Sequence, residues 1–189
     1  MFDSIVTHLK KHINLSKEET DLLLSSIKVR ELKKKDYLLE AGQVCHENYF
    51  VANGCLRMYL ITNKGTEQVI QFAIEDWWLT DYVSFKGECP SGFYIQAVEN
   101  ALVLSFTKQV QNELFEKIPQ LERYFRIVLE KAYSAQLTRI HYIFNLSGEE
   151  QYHMMNNRHP EFVQRVPQYM LASYLGITPE FLSKLRAKK

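Results

Sequence analysis

The sequence contains little cysteine, the residue that cross-links small folds through disulfides or binds structural metals. Cysteine occurs only three times in 189 residues, at Cys45, Cys55 and Cys89, and no two of these form a Cys-x-x-Cys pair. Reduced thiols therefore fit better than a disulfide framework, and no structural zinc or iron–sulfur site is expected. The sequence predicts neither a metal site nor a cofactor.

Long apolar runs are also lacking. No stretch approaches the roughly 20 apolar residues that a membrane helix requires. The amino terminus, MFDSIVTHLKKH, alternates charged with apolar residues and has no signal-peptide core. We therefore expect a cytoplasmic protein without a membrane partner. Aromatic residues make up 13% of the chain, which argues against intrinsic disorder.

Net charge is close to zero, at +1, and by itself points to no partner. The positive charge is local, because four of the last six residues are basic: Lys184, Arg186, Lys188 and Lys189. An earlier run, VRELKKKDYLL, is interpreted as a solvated strand edge, since edge strands carry lysine that prevents aggregation. The carboxyl terminus is thus basic although the chain as a whole is nearly neutral.

The first two thirds of the chain change from helical to β-like patterns. A capping box of Ser16 and Glu19 precedes an apolar stripe and predicts a helix, with another helix before it around Ile5 to His12. Between Tyr37 and Phe106 lie short β-like runs separated by turn signals, including a hairpin around Asn63-Lys64-Gly65. This spacing of strands predicts a small barrel, sandwich or jelly roll.

A long helix is predicted from Pro119, which suits the first turn of a helix, to about residue 146. Its apolar residues recur at alternating intervals of three and four, as in a coiled-coil seam. The helix could dimerise through this seam, pack only on its own barrel, or do both. The predicted seam consists of Leu121, Phe125, Val128, Ala132 and Ala135.

The terminal segment VPQYMLASYLGITPEFLSKLRAKK predicts two helices joined by a tight turn. Before it, Ser147 and Glu150 form a second capping box, and HPEFVQRVP reads as a loop. Gly176 supplies the left-handed residue that ends the first terminal helix, and Thr178 caps the second. Leu182 and Leu185 then face inward, so that polar side chains remain accessible. This pattern predicts a helix-turn-helix, whose second helix presents its polar groups to the DNA major groove. The alternative is an ordinary helical hairpin that only packs against the rest of the chain.

With these motifs the whole chain resembles the Crp/Fnr superfamily of bacterial transcription regulators. The ending LASYLGITPEFLSKLRAKK is similar to short members common in the Bacteroidetes. The resemblance implies an α+β fold with three parts: N-terminal helices and an antiparallel, jelly-roll-like β-roll over residues 1–118, a long dimerisation helix over 119–146, and a helix-turn-helix domain over 147–189. It further implies a homodimer on an inverted-repeat operator of double-stranded DNA, with RNA polymerase as a candidate partner.

The family's base-reading positions carry over to the second terminal helix. Pro179 stands where a basic residue is usual, Glu180 can accept from a cytosine amino group, and Lys184 can donate to guanine. Other polar residues are expected at phosphates or base edges. These are Gln168, Thr178, Ser183, Arg186 and Lys188.

The family's cyclic-nucleotide cassette is present in outline but has lost its chemistry. We define the cassette as residues 76–80 (DWWLT) and 89–92 (CPSG). The resemblance places Leu79 at the glycine, Thr80 at the ribose-binding carboxylate and Ser91 at the phosphate-binding arginine. Cyclic AMP is therefore not the expected effector; the pocket takes another small molecule or is a filled core. Its expected lining is Trp78, Leu79, Thr80, Ser91, Gly92 and Tyr94.

Two other classes of protein are alternatives. A cupin-like enzyme would need paired histidines with a carboxylate in the barrel strands, which the sequence lacks, so no catalytic residue is predicted. His8 and His12 have metal-chelating spacing but are interpreted as surface residues beside Lys10 and Lys11. The remaining alternative is a β-barrel regulatory or protein-interaction module that does not bind DNA.

Overall fold

The computed structural model describes residues 2–187 and has the predicted α+β architecture. Two helices precede eight short strands, a third helix interrupts the strands, and six further helices complete the described chain. The helices are α1 (Asp3–Lys10), α2 (Lys17–Ser26), α3 (Tyr82–Gly87), α4 (Lys108–Lys117), α5 (Gln120–Asn145), α6 (Gly148–Arg158), α7 (Pro160–Arg165), α8 (Gln168–Leu175) and α9 (Pro179–Ala187). The strands are β1 (Lys28–Leu32), β2 (Tyr37–Leu39), β3 (Glu47–Asn53), β4 (Leu56–Ile61), β5 (Glu67–Ala73), β6 (Trp78–Leu79), β7 (Tyr94–Ala97) and β8 (Ala101–Thr107).

The strands form two four-stranded sheets, in the orders β1-β8-β3-β6 and β2-β7-β4-β5. Pairing is antiparallel where β8 lies between β1 and β3. The predicted hairpin joins β4 to β5, and Gly65 in its turn has φ of +74°, a conformation that glycine adopts without strain. The jelly-roll-like β-roll expected from the sequence is thereby confirmed.

Alternation along β3 separates two apolar cores. Tyr49 and Val51 point into the interior of the roll, where they join a cluster with Leu56, Ile95 and other buried side chains. Phe50, between them, points to the opposite face and packs in a second cluster with residues of the flanking helices. Successive side chains in a strand face opposite sides, so a single strand supports both cores.

The local signals of helix ends are confirmed, with one error in a loop. Both capping boxes form, since the Ser16 and Ser147 side chains accept from the amides of Glu19 and Glu150. HPEFVQRVP was expected to be a loop, but Pro160–Arg165 is helix α7. Proline at the first helical position has the φ that a helix requires, which outweighed the loop-like composition.

Helix α5 confirms the predicted long helix but corrects its seam. Leu121, Tyr124 and Phe125 are buried in the helix-side cluster of the chain's own fold, and Val128 packs against it. Ala132 and Ala135 are exposed. Large apolar side chains are instead exposed on a neighbouring face, which we call the α5 stripe: Leu129, Tyr133, Leu137, Ile140, Ile143 and Phe144.

The chain divides into two compact units. The first comprises the chain up to Met58 together with Phe72–Lys131, and the second comprises Tyr59–Gln71 together with the chain from Ala132 onward. The outer part of the β4–β5 hairpin thus belongs with the terminal helices, and α5 is shared between the units. No helix within residues 2–187 has the length and apolar character needed to cross a bilayer.

Candidate nucleic-acid interface and effector domain

The terminal helices α8 and α9 form the two-helix unit that the sequence predicted. Gly176 follows α8 with φ of +69° and ψ of 27°, the left-handed conformation that turns the chain. The Thr178 side-chain oxygen accepts from the amide of Phe181 at 3.2 Å and so caps α9. The turn is therefore fixed at both ends by local chemistry.

Buried apolar side chains hold the two helices together. Ala172 on α8 and Leu182 on α9 are fully buried, and Leu185 is nearly so. Ile177, in the turn, packs so closely on Gly148 that a Cβ built there would lie 2.2 Å from the isoleucine Cγ2. Gly148 therefore has to lack a side chain, and α6 is locked against the turn.

The outward face of α9 brings together most of the predicted DNA-reading residues. Pro179, Glu180, Ser183 and Lys184 are all exposed, whereas the opposite face is buried. Two exposed aromatic side chains for which the sequence predicted no role also belong to this unit: Phe181 on α9 and Tyr169 on α8. Phe181 lies within the first turn of α9, and the N-terminal residues of a recognition helix are the ones that contact bases. If α9 is such a helix, this position in the sequence is the signal that could have identified Phe181 as a candidate.

Two of the predicted phosphate contacts are engaged within the protein. Gln168 Nε2 donates to the Pro179 carbonyl at 2.8 Å, and Arg186 Nη2 donates to the Val163 carbonyl at 2.8 Å. The first bond ties α8 to the start of α9, and the second ties α9 to α7. Lys188, which was also predicted to contact DNA, lies outside the described residues.

A docking contact between α8 and the β4–β5 hairpin was not predicted. The Ser173 hydroxyl accepts from the Val69 amide at 2.9 Å and donates to the Glu67 carbonyl at 2.7 Å. Gln68 Nε2 also donates to the Ser173 carbonyl. These partners are more than a hundred residues apart in sequence, so no local pattern could have indicated the contact.

Arg139 of α5 completes this docking contact. Its guanidinium donates to the carbonyls of Ile70 and Tyr174 and lies 3.9 Å from the centre of the Tyr174 ring. Burial lowers the pKa of the Arg139 guanidinium and raises that of the Tyr174 hydroxyl. The arginine therefore joins the hairpin, α5 and α8 at one point.

In the cassette, the polar side chains are bonded to the protein itself. Ser91 Oγ donates to Asp81 Oδ2 at 2.7 Å and accepts from the Phe93 amide at 3.0 Å. Asp81 also caps α3 by accepting from the Val83 amide. Thr80 Oγ1 donates to the Glu47 carbonyl at 3.0 Å. These groups serve the fold at the positions where the resemblance expects ligand contacts.

Only part of the predicted pocket lining comes together. Leu79 is buried inside the roll, but Trp78 packs on the other face of the sheet, with its ring centroid 5.0 Å from that of Phe125. Including Trp78 in the pocket was wrong, because neighbouring residues of a strand point to opposite faces. Gly92 is exposed, and Tyr94 is half-buried beside the Tyr37 ring.

The amino-terminal histidines are not simple surface residues. His8 is half-buried and its Nδ1 lies 2.6 Å from the Tyr124 hydroxyl, which accepts from Trp78 Nε1 at 2.8 Å. Burial lowers the pKa of His8 to about 4, against a smaller opposing effect of Asp76. His12 packs edge-on against His8. The pair was missed because its partners, on β6 and α5, are distant in sequence.

Comparison with known proteins agrees with this architecture. Residues 29–118 match the family of cyclic nucleotide-binding domains. The chain is 24% identical to the anaerobic regulatory protein of Haemophilus influenzae, over 97% of this chain and 75% of that protein. It is 25% identical to the fumarate and nitrate reduction regulatory protein of Escherichia coli, over 97% and 77% respectively. The solved structure of the regulator CLP from Xanthomonas campestris matches with a TM-score of 0.72 at 14% identity, covering 92% of this chain and 91% of that one.

The class defined by these findings is a cyclic nucleotide-binding domain joined to a long helix and a helical tail. Residues 29–118 match a cyclic nucleotide-binding domain, and the relatives and solved structures that the chain resembles are Crp/Fnr-type regulators. The resemblance drawn from the terminal motif is thereby confirmed at the level of the superfamily. The closer likeness to short Bacteroidetes members stays a prediction.

Proposed function

We propose that the protein is a dimeric, sequence-specific DNA-binding transcription regulator and not an enzyme. The observation that carries this proposal is the helix pair α8–α9, which buries Leu182 and Leu185 while exposing Glu180, Ser183 and Lys184. A helix that is apolar behind and polar in front, capped at its start, suits insertion into the major groove.

Each exposed residue of α9 has a chemical role in this proposal. Glu180 accepts from a cytosine amino group, and Lys184 donates to guanine O6 or N7. Pro179 reads no base edge because it has no N–H group. Thr178 and Ser183 supply hydroxyl groups for phosphate or base edges. Arg186 keeps further N–H groups for phosphate, since a guanidinium has five.

Dimerisation in this proposal uses the α5 stripe, with RNA polymerase as a further candidate partner. Its members Leu129, Tyr133, Leu137, Ile140 and Phe144 follow one another at intervals of four, four, three and four, so they line one side of the helix as a partner-facing apolar stripe requires. A dimer formed there would present two α9 helices to half-sites about one DNA turn apart.

The proposed effector domain does not respond to cyclic AMP or cyclic GMP. A buried cyclic phosphate needs charged donors or aligned amides, whereas Ser91 and Asp81 bond to each other at the phosphate position. The carboxylate of Asp81 would repel the ligand's negative charge. The domain instead accepts a different small molecule or serves as a filled core.

The test is selection of bound duplexes from genomic and randomised DNA, followed by anisotropy titration at fixed salt. Wild type should select an inverted repeat, and Lys184→Ala should lose about 1–3 kcal/mol of discrimination at one base pair of each half-site. Lys64→Ala, in the exposed hairpin turn, is the matched control and should leave that preference unchanged. Selection of no duplex would favour the alternative of a module that does not bind DNA.

The effector statement has its own test. Calorimetric titration with cyclic AMP and cyclic GMP should show no saturable binding in the low micromolar range. Saturation there would contradict the loss of cassette chemistry and leave the DNA-binding proposal intact.

A further inference from the structure

The outer edge of strand β5 forms hydrogen bonds with a side chain of α8. Strand β5 is the last strand of its sheet, and an edge strand exposes unpaired amide and carbonyl groups. The Ser173 hydroxyl bonds to the Val69 amide and to the Glu67 carbonyl, which alternate along the same edge. Because a hydroxyl both donates and accepts, Ser173 acts as a one-residue extension of the sheet.

Arg139 strengthens the same contact by charge-assisted bonds. Its hydrogen bonds go to the carbonyls of Ile70 on β5 and Tyr174 on α8. Among the described residues it forms no ion pair with a carboxylate. Desolvating a charge without an opposite charge adds little net stability. What the arginine does provide is directional bonding that fixes one geometry.

This docking leaves the recognition surface open. Ser173 and Tyr174 of α8 engage the hairpin and α5, whereas Glu180, Ser183 and Lys184 of α9 remain exposed. The contact therefore cannot block DNA. It fixes how the helix pair is held on the second half of α5.

We propose that Ser173 and Arg139 are positioning residues, which hold the helix-turn-helix on the β4–β5 hairpin and so set the half-site spacing that a dimer accepts. This inference rests on the proposed function. A rigidly held pair of recognition helices fits one spacing between half-sites. Loosely held helices adapt to several spacings, but they lose conformational entropy when they become ordered in the complex.

The variants are chosen to remove the contact with little change in the core. Ser173→Ala removes both bonds to β5, whereas Ser173→Thr keeps a hydroxyl and should restore them. Arg139→Lys keeps the charge but cannot bond two carbonyls in the planar geometry of a guanidinium. Thr138→Ala is the control on α5, since its exposed hydroxyl bonds only within the helix, to the Ser134 carbonyl.

The first measurement is affinity for the selected operator with its half-sites moved apart or together by one to three base pairs, and for a single half-site. Wild type, Thr138→Ala and Ser173→Thr should lose about tenfold or more at altered spacing, whereas Ser173→Ala and Arg139→Lys should lose about threefold or less. Single half-site affinity should stay equal in all. A general loss of folding would lower affinity for every duplex and leave the spacing profile unchanged, which would overturn the proposal.

The second measurement needs no DNA. Hydrogen exchange at the Val69 amide in the full-length protein should be slow in wild type and Ser173→Thr, and faster in Ser173→Ala. Unchanged exchange in Ser173→Ala would overturn the docking contact itself. If wild type selects no duplex, the proposed function fails, and the exchange result still decides whether the contact forms.

Discussion

The two halves of helix α5 carry apolar side chains at similar spacing but with opposite exposure. In the first half, Tyr124 is fully buried and Leu121 and Phe125 nearly so. In the second half, Tyr133, Ile143 and Phe144 are 66%, 52% and 82% exposed. One continuous helix therefore serves as a core element over its first turns and as an uncovered apolar surface over the rest.

This difference in exposure separates the residues of α5 that stabilise the folded chain from those that are available to bind a partner. A contiguous set of exposed large apolar residues marks an interaction surface more often than isolated ones do. The first half should therefore control the stability of the monomer, and the α5 stripe should control association.

Phe125→Ala should lower the free energy of unfolding by about 3–5 kcal/mol, because it leaves a cavity in the helix-side core. The matched change in the second half, Phe144→Ala, should cost the folded monomer almost nothing, since the ring is largely exposed. Denaturant unfolding followed by circular dichroism at one protein concentration would measure both. Equal losses in the two variants would remove the distinction between the halves.

Ile140→Glu should weaken self-association about a hundredfold, equivalent to roughly 3 kcal/mol, because an unpaired carboxylate would be buried in the stripe. Ala135→Glu introduces the same charge on the same helix, away from the stripe, and should leave association unchanged. Sedimentation velocity over a range of concentrations would resolve the two. The stripe hypothesis fails if both variants dissociate alike, or if neither does.

The sequence predicted that α5 is long and apolar, but not which face is covered. Periodicity alone placed Leu121 and Phe125 in one seam with Ala132 and Ala135. The exposed stripe is rotated from that predicted seam by about one residue position around the helix axis. A pattern of apolar residues predicts that one face of a helix is buried. It does not predict which part of the protein, or which partner, packs against that face. Only the placement of the roll and α4 determines that Phe125 packs on Phe115 and Trp78.

The terminal unit was predicted more completely because its signals are local. Gly176, Thr178, Leu182 and Leu185 act within a few residues of one another, and each behaves as expected. The docking of Ser173 on β5 joins residues that are far apart in sequence, so no local sequence pattern predicted it. Likewise, the alternation of side chains along strand β6 determines that Leu79, and not Trp78, faces the interior of the roll. The short apolar run in the sequence did not predict which of the two faces inward.

Tyr124→Phe should lower the free energy of unfolding by about 1–2 kcal/mol, since it removes the hydroxyl that bonds both His8 and Trp78. Tyr133→Phe, the same change in the exposed half of α5, should have no measurable effect on the monomer. Denaturant midpoints of the two variants give the comparison. Because the hydroxyl joins α1 and β6 to α5, faster hydrogen exchange in α1 is expected for Tyr124→Phe only.

The smallest predicted effect is a pH dependence that arises in the buried half of α5. Tyr124 accepts from Trp78, so its proton is available to His8 Nδ1, and this bond requires a neutral imidazole. Burial lowers the pKa of His8 in the folded protein to about 4 from 6.5, with Lys11, His12 and Lys131 acting in the same direction and Asp76 against it.

Below pH 6.5 the unfolded chain takes up a proton at His8 that the folded chain refuses, so stability should fall as the pH drops from 6.5 towards 4. Allowing for solvent screening of a half-buried ring, the loss at pH 5 relative to pH 7 is about 1 kcal/mol. His8→Gln should flatten the dependence between pH 7 and 5, whereas His153→Gln, on an exposed position of α6, should not. If wild type and His8→Gln lose the same free energy of unfolding between pH 7 and pH 5, His8 contributes nothing to the pH dependence of stability.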